Sequence, residues 1–350
     1  MCRLDEIAWN VSEEEYRASL SLNYSLLAKF ERGGFDALAT LKEGETSPSL
    51  TFGSLVDCLL TDPLSFDKRY IVYDFPKITD KVESTVKALF TLYGATYSKL
   101  TDIPLHNLLN VLDSEDFQKT YKNETRINNI LLKGDEYYQI LCRTVGKEVV
   151  CSEMYQKALN CADAVKEHPI AKKYFNNNPF ETETNYYQLK FKTELNGVSY
   201  KCMVDVVHVD YDKKEITLVD LKTSSKPEWH FAKSFIQWNY EIQARLYYRI
   251  VQRTLSQNDF FKDFMIKSYK FVVVCPETLC PLVWDFEQTE MYGDLHFGDI
   301  VMKDPEDIAK LLLQYYADAG RKTPYGVEVN EINSLTEKIE EYEIKNKSKM

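Results

Sequence analysis

Residues 198–223 read VSYKCMVDVVHVDYDKKEITLVDLKT. Two runs rich in Val, Ile, Leu and Tyr, 198–209 and 215–221, flank a polar segment at 211–214. Apolar, β-branched runs on either side of a short polar segment are typical of two antiparallel strands joined by a loop. The sequence therefore predicts a hairpin here, and the neighbouring segments are interpreted from it.

The length of the loop decides which side chains of the hairpin meet. If 211–214 form the loop, Asp210 faces Glu215, and five pairs further along Asp205 faces Asp220. Alternate residues of a strand share a face, so Lys222 points the same way as Asp220. A loop one residue longer or shorter would bring a neighbour of Asp220 opposite Asp205 instead.

Two carboxylates and an ammonium group on one patch carry a specific chemistry. Carboxylates about 5 Å apart repel each other unless a cation lies between them. Magnesium prefers oxygen ligands and acidifies a bound water, and a nearby lysine can orient that water or offset developing negative charge. Asp205, Asp220 and Lys222 are therefore candidate site residues. The alternative is a surface hairpin with an ordinary Asp–Lys ion pair, which the strongly apolar strand before Asp220 disfavours.

The rest of the chain predicts an α/β fold, with a mixed central sheet flanked by helices and a helical N-terminal half. Helical periodicity and strand-like alternation indicate the other elements. The predicted helices are 12–45, 51–61, several within 80–175, 229–253 and 304–320, and further strands are predicted over 186–191, 267–275 and 281–286. Glu241 and Arg245 lie four residues apart on the 229–253 helix, and we expect them to form an exposed ion pair.

Composition limits the class of protein. The chain of 350 residues has no apolar run long enough to cross a membrane, and Met1–Glu6 lacks the pattern of a secretion signal, so a cytoplasmic location is expected. Its eight Cys residues are then expected to be reduced, buried thiols. Iron–sulfur ligation by residues such as Cys275 and Cys280 or Cys142 and Cys151 is the alternative, which the absence of a tight Cys cluster in the sequence disfavours.

The candidate site residues occur in the order of a known motif. Asp205, then Asp220-Leu221-Lys222-Thr223, then Gln243 and Tyr247 on one helix face resemble the PD-(D/E)XK nuclease superfamily. The pattern is most similar to its RecB-type and exodeoxyribonuclease VIII (RecE-like) branch of bacteria and phages. The segments 150–153 and 162–171 are also similar to a helix that precedes the nuclease core in that branch.

The resemblance implies further site residues. Glu183 is expected to supply an acidic residue at the start of the first core strand, with Glu181 as the alternative. Gly53 to Pro63 matches a stretch in which the branch has a His, but Asp57 stands at that position. The expected metal-binding residues are Asp205, Asp220, Leu221, Asp57 and Glu183, and the expected DNA contacts are Gln243, Tyr247 and Thr223. Magnesium is the expected cofactor, with manganese as a substitute.

The resemblance also implies an organisation and an activity. Residues 1–175 would form a helical region contributing one site residue, 176–325 the nuclease core, and 326–350 a charged C-terminal helix or tail. The implied activity is metal-dependent exonuclease action on duplex DNA ends in recombination or replication, in a bacterial host cytoplasm if the protein is phage-encoded. A single-strand annealing protein and a homo-oligomer are implied partners.

Three other functions remain open at the level of sequence. These are an endonuclease of the same superfamily, a catalytically inactive scaffold that binds DNA or a partner, and a helical adaptor. The net charge of −11 does not favour DNA binding, because phosphate contacts need local positive charge. A locally basic groove is nevertheless compatible with an acidic chain.

Overall fold

The computed structural model describes residues 3–39, 47–74, 78–176 and 182–318. The chain forms two compact units, one drawn from residues 1–62 and 158–350 and the other from 63–157. Glu181 and the predicted C-terminal helix or tail lie outside the described residues. The predicted three-part domain organisation stays a prediction.

The strands confirm the predicted α/β fold with a mixed sheet. Strands β3 to β7 form one five-stranded sheet in sequence order, in which only β5 and β6 run parallel. Strands β1 and β2 form a parallel pair, and β8 and β9 an antiparallel pair. The strands are β1 Tyr70–Val72, β2 Glu148–Val150, β3 Glu183–Leu195, β4 Val198–Asp210, β5 Glu215–Thr223, β6 Met265–Val274, β7 Leu282–Glu287, β8 Leu295–Phe297 and β9 Ile300–Met302.

Helices dominate the N-terminal half, as predicted. The α-helices are α1 Glu13–Ala18, α2 Tyr24–Ala39, α3 Pro48–Thr61, α4 Phe66–Arg69, α5 Asp80–Tyr93, α6 Leu105–Ser114, α7 Asn123–Arg143, α8 Ser152–Glu167, α9 Lys172–Phe175, α10 Phe231–Trp238, α11 Tyr240–Ser256 and α12 Pro305–Asp318. Short 3-10 helices cover Leu4–Glu6, Pro63–Ser65, Leu100–Asp102, Glu228–His230 and Gln288–Glu290. Within the described residues no helix is both long and apolar enough to cross a membrane.

The helix predicted over 229–253 is in fact two helices. Asn239, between α10 and α11, adopts a left-handed conformation with φ 52° and ψ 49°. Asn is one of the few non-glycine residues that adopt this conformation readily, so it ends α10 without a glycine. The apolar periodicity runs on through the break, which is why the sequence pattern does not reveal it.

The register of β4 and β5 is the predicted one. Asp210 pairs with Glu215, and the pairing continues to Val206 with Val219. Asp205 and Asp220 are the next residues along, which places their backbones side by side. The four-residue loop 211–214 contains Lys214 with a φ of 54°.

Helix α3 begins at an identifiable capping signal and closely approaches β5. The Ser47 side chain accepts a hydrogen bond from Leu50 N–H, and Pro48 follows at the first helical position. A Cβ atom added at Gly53 would lie 3.2 Å from Thr223 Oγ1, so the helix backbone closely approaches the end of β5. Glycine at this position allows α3 to reach the strand that carries Lys222.

The two units have separate apolar cores. In the first unit, buried side chains of β3 to β6 pack with those of α2, α11 and α12. In the second unit, buried side chains of α5, α6 and α7 pack together, including Val86, Ile130 and Tyr138. Helix α11 therefore lies in the core of the first unit, and that packing fixes the helix carrying Gln243.

Candidate active site

Asp205 and Asp220 meet where β4 and β5 stop pairing. Asp205 Oδ2 accepts a hydrogen bond from the Leu221 N–H at 2.8 Å. Asp220 is buried, and its Oδ1 accepts a hydrogen bond from Gln243 Nε2. Asp220 Oδ2 lies 2.5 Å from Lys222 Nζ and accepts no other hydrogen bond from the described residues. The structure thus brings together the two carboxylates and the lysine.

The electrostatics of this group follow from burial and crowding. Burial raises the pKa of Asp205 well above its usual range, and the negative charges of Asp220 and Asp57 raise it further. Burial alone would lower the pKa of Lys222, but interactions with Asp220 and, less strongly, with Tyr240, Tyr24 and Asp205 together outweigh it, so the net shift is upward. Lys222 is therefore an ammonium at neutral pH, whereas the crowded carboxyl groups disfavour each other's ionised form unless a cation lies between them.

Gln243 on helix α11 connects Asp220 and Lys222 through hydrogen bonds. Gln243 donates to Asp220 through Nε2, and its Oε1 accepts from Lys222 Nζ at 3.0 Å. Tyr247, one turn further, lies with its ring centroid 6.3 Å from that of Tyr269. Both Gln243 and Tyr247 are buried, so the structure places them beneath the site rather than on an open surface. Their predicted contacts with DNA, like that of Thr223, stay predictions.

Asp57 on α3 is held by a residue that we did not identify from the sequence. Gln188 Nε2 donates to both carboxylate oxygens of Asp57, at 2.9 and 3.0 Å. Gln188 lies between Tyr187 and Leu189, which pair with Val206 and Val204, so it stands opposite Asp205. Its φ of 53° is left-handed, which is uncommon inside a strand.

A sequence signal for Gln188 exists in the loop between β3 and β4. The two-residue loop is Asn196-Gly197, both with positive φ, which is the preferred sequence of a tight hairpin. This loop pairs Leu195 with Val198, and counting back from that pair brings Gln188 opposite Asp205. The positive φ of Gln188 itself has no sequence signal.

Glu183 does not join the site. It pairs with Asp210 at the far end of β4, five residues from Asp205, which is roughly 17 Å along an extended strand. The odd spacing also puts Glu183 on the opposite sheet face. Its carboxylate contacts Lys173 Nζ at 3.0 Å and His208 Nε2 at 3.6 Å instead. Because β3 begins well before the site, the first acidic residue of the strand is too far away.

The expected exposed ion pair of Glu241 and Arg245 is wrong. Both side chains are buried, and Arg245 Nη2 contacts Asp304 Oδ2 at 3.2 Å rather than Glu241. Glu241 Oε1 accepts a hydrogen bond from Asn239, while Oε2 has no hydrogen-bond partner among the described residues. The helical spacing alone does not show that α11 is enclosed by other elements on these sides.

The donor set fits a hard divalent cation. Magnesium commonly uses one or two carboxylates and keeps several waters, and Asp205 and Asp220 supply two. The Leu221 carbonyl points to the same side of β5 as its own N–H, toward Asp205, and can add a third oxygen. No group of three or more His, Cys, Asp or Glu side chains with metal-binding geometry occurs in the described part of the chain. Asp220 Oδ2 already faces the Lys222 ammonium at 2.5 Å, so a bound metal ion would share this oxygen with Lys222.

Comparison with known proteins agrees with this geometry. A family model described as a PDDEXK-like domain of unknown function (DUF3799) matches residues 23–270, and the chain belongs to this family. The match includes Asp57, Asp205, Asp220, Lys222 and Gln243, and it confirms the predicted resemblance at the level of the superfamily. The narrower resemblance to the RecB-type and RecE-like branch stays a prediction.

Comparison with solved structures finds a weaker likeness. A crystal structure described as a "putative exonuclease" from Eubacterium rectale is 14% identical over 81% of this chain and 80% of that chain, with a TM-score of 0.40. A likeness of that size carries no argument about activity. No curated protein matches the chain.

Proposed function

We propose that the protein is a magnesium-dependent deoxyribonuclease that hydrolyses phosphodiester bonds at duplex DNA ends. One observation carries the proposal: Asp205 and Asp220 lie side by side, and Lys222 contacts both Asp220 and Gln243 at the same site. A structural salt bridge needs one carboxylate and one ammonium, and it does not account for the second carboxylate crowded beside the first. Membership of the PDDEXK-like family supports the same chemistry.

The residues of the chain divide the work. Lys222, kept protonated by Asp220, can donate to a phosphate oxygen as negative charge develops on it. Gln243 fixes the positions of Asp220 and Lys222 at once, so neither needs to reorganise during the reaction. A bound magnesium ion would polarise the phosphate and supply a more acidic water. Asp205 and Asp220, with the Leu221 carbonyl, are the groups that would hold it.

The decisive experiment compares the wild type with Lys222→Ala. Each is incubated with end-labelled linear duplex and with covalently closed circles, in magnesium or in EDTA. We expect magnesium-dependent loss of linear DNA only, reduced by about 100-fold or more in Lys222→Ala because a transition-state contact is lost. Lys262→Ala is the matched control, since Lys262 is an exposed lysine paired with Asp259 on the surface, and it should leave cleavage unchanged.

The other results point to specific alternatives. Cleavage of closed circles would identify an endonuclease of the same superfamily. No cleavage with magnesium or manganese, together with measurable DNA binding, would contradict the enzyme proposal and support an inactive scaffold. A thermal-shift titration measures magnesium binding independently of cleavage. Magnesium should raise the melting temperature of the wild type but not of Asp220→Asn.

A further inference from the structure

A cluster of aromatic rings and one arginine adjoins the catalytic lysine. Lys222 Nζ lies 4.7 Å from the centroid of the Tyr240 ring, and the Tyr240 and Tyr24 centroids are 6.4 Å apart. The Tyr24 hydroxyl donates to the Trp238 carbonyl at 2.8 Å. Arg32 Nη1 donates to that same carbonyl at 2.9 Å, and its guanidinium carbon lies 5.4 Å from the Trp238 ring centroid. We call Trp238, Arg32, Tyr24 and Tyr240 the Trp238 platform.

Part of this arrangement is structural. Trp238 is the last residue of α10, and its carbonyl faces away from the helix, where it needs an outside donor. Tyr24 and Arg32 supply that donor, and a cation at a helix C-terminus is also favourable. Capping explains both hydrogen bonds. It does not explain why Trp238 stays 45% exposed when Phe231 and Phe235 of the same helix are buried.

The exposed groups of the platform have the chemistry of single-strand binding. An indole face stacks on any unpaired base, whereas the bases of a duplex are already covered by their neighbours. Arg32 is exposed, and apart from the Trp238 carbonyl the described residues accept no hydrogen bond from it. Its remaining N–H groups can therefore bind a phosphate of the same strand.

The charge of the chain favours this mode of binding. With a net charge of −11, the overall electrostatics of the protein do not favour DNA binding. Base stacking does not depend on net charge, so a stacking platform can hold a strand that the overall field does not. Its position beside Lys222 would direct that strand toward Asp205 and Asp220.

We propose that the Trp238 platform binds single-stranded DNA, stacking an unpaired base on Trp238 and contacting a phosphate through Arg32. A duplex end would then enter the site as a separated strand. This inference rests on the proposed nuclease function for its substrate, but the surface can be tested without cleavage.

The test measures binding in EDTA, so that no divalent metal supports cleavage. The probes are fluorescein-labelled dT12 and a blunt hairpin duplex. Fluorescence anisotropy measures the binding of each probe to the full chain. Trp238→Ala should weaken dT12 binding by about 5- to 100-fold, the range for loss of one base–aromatic stack. Binding of the blunt duplex should change by less than about twofold, because its bases are not available for stacking. Trp238→Phe should restore most of the dT12 affinity, and this controls for misfolding.

Trp229→Ala is the matched control. Trp229 is 69% exposed, and its ring contact among the described residues is with His230, outside the platform. Unchanged dT12 binding in Trp238→Ala, or an equal loss in Trp229→Ala, would overturn the inference. If the protein cleaves DNA but Trp238→Ala does not weaken dT12 binding, only this inference is wrong. If Trp238→Ala weakens dT12 binding but the protein shows no magnesium-dependent cleavage, only the proposed function is wrong.

Discussion

Gln188 combines an unfavourable backbone conformation with a hydrogen bond to Asp57, a proposed site residue. Its φ of 53° is left-handed, and its amide holds both oxygens of Asp57. Non-glycine residues in such conformations persist when the surrounding structure imposes them, and they cluster at functional sites. The backbone of Gln188 is therefore the one point in β3 where positioning Asp57 competes with the geometry of the strand.

A pair of substitutions separates the two effects. Gln188→Ala removes the amide and keeps the strained backbone, whereas Gln188→Gly removes the amide and tolerates the positive φ. We expect the glycine variant to be more stable than the alanine variant by about 1 kcal/mol, measured by urea unfolding. Both should lower the magnesium affinity or activity equally if Asp57 acts at the site. Equal stability of the two variants would show that no strain is stored at this residue.

Glu241 predicts a pH dependence of opposite sign to that of most carboxylates. Burial raises its pKa from 4.5 to about 7. Because the folded-state pKa is the higher one, its contribution to stability is complete below about pH 4.5 and is lost as the pH rises through 7. Glu241→Gln, which stays neutral, should therefore gain on the order of 2–3 kcal/mol over the wild type between pH 4.5 and 8. Urea unfolding at both pH values measures this, and a constant difference would refute it.

At the scale of elements, the hairpin of β4 and β5 could be predicted from the sequence, and the structure has the register of a four-residue loop rather than either one-residue shift. Its loop is short and polar, so counting from Asp210 and Glu215 located the two carboxylates without any tertiary information. The expectation for Glu183 was wrong because it did not use the neighbouring hairpin: counting back from the Asn196-Gly197 loop pairs Glu183 with Asp210, away from Asp205. The break at Asn239 and the burial of Arg245 depend on packing around α11, which periodicity does not report.

Helix α3 approaches β5 through a single small residue, and this makes Gly53 a test of the element. A larger side chain there would displace α3 from Thr223 and move Asp57, which lies one turn further along the helix. Gly53→Leu should cost about 1–3 kcal/mol of stability and lower the proposed nuclease activity. Ser54→Leu places the same side chain at the adjacent exposed position and should do neither. Similar effects of both variants would mean that the close approach is unimportant.

At the scale of the whole molecule, the first unit is held together by a buried ion network. Arg249 contacts Asp304 at 2.5 Å and Glu306 at 2.7 Å, and Arg245 also reaches Asp304. Asp304 further accepts the Gly293 N–H at 2.9 Å. The network joins α11, which carries Gln243, to the segment before α12. Asp304 is therefore the common partner of two buried guanidinium groups.

Removing that partner should be costly. Asp304→Asn leaves Arg245 buried without its carboxylate partner and Arg249 with Glu306 alone, and we expect a loss of about 3–5 kcal/mol in the free energy of unfolding. Asp259→Asn is the control, because that carboxylate forms a fully exposed pair with Lys262 and should change stability little. A loss in Asp304→Asn no larger than in the control would show that the network contributes nothing.

The discontinuous course of the first unit has a consequence for synthesis on the ribosome. Asp57 precedes Asp205 by 148 residues, and the second unit is translated between them. At translation rates of about 5–20 residues per second, roughly 7–30 s pass between the synthesis of Asp57 in α3 and that of Asp205 in β4. During that time the apolar residues of α3, among them Leu55, Val56 and Leu59, cannot pack against the sheet. The nascent chain is therefore expected to need a chaperone that shields this segment, and slower translation would prolong that need.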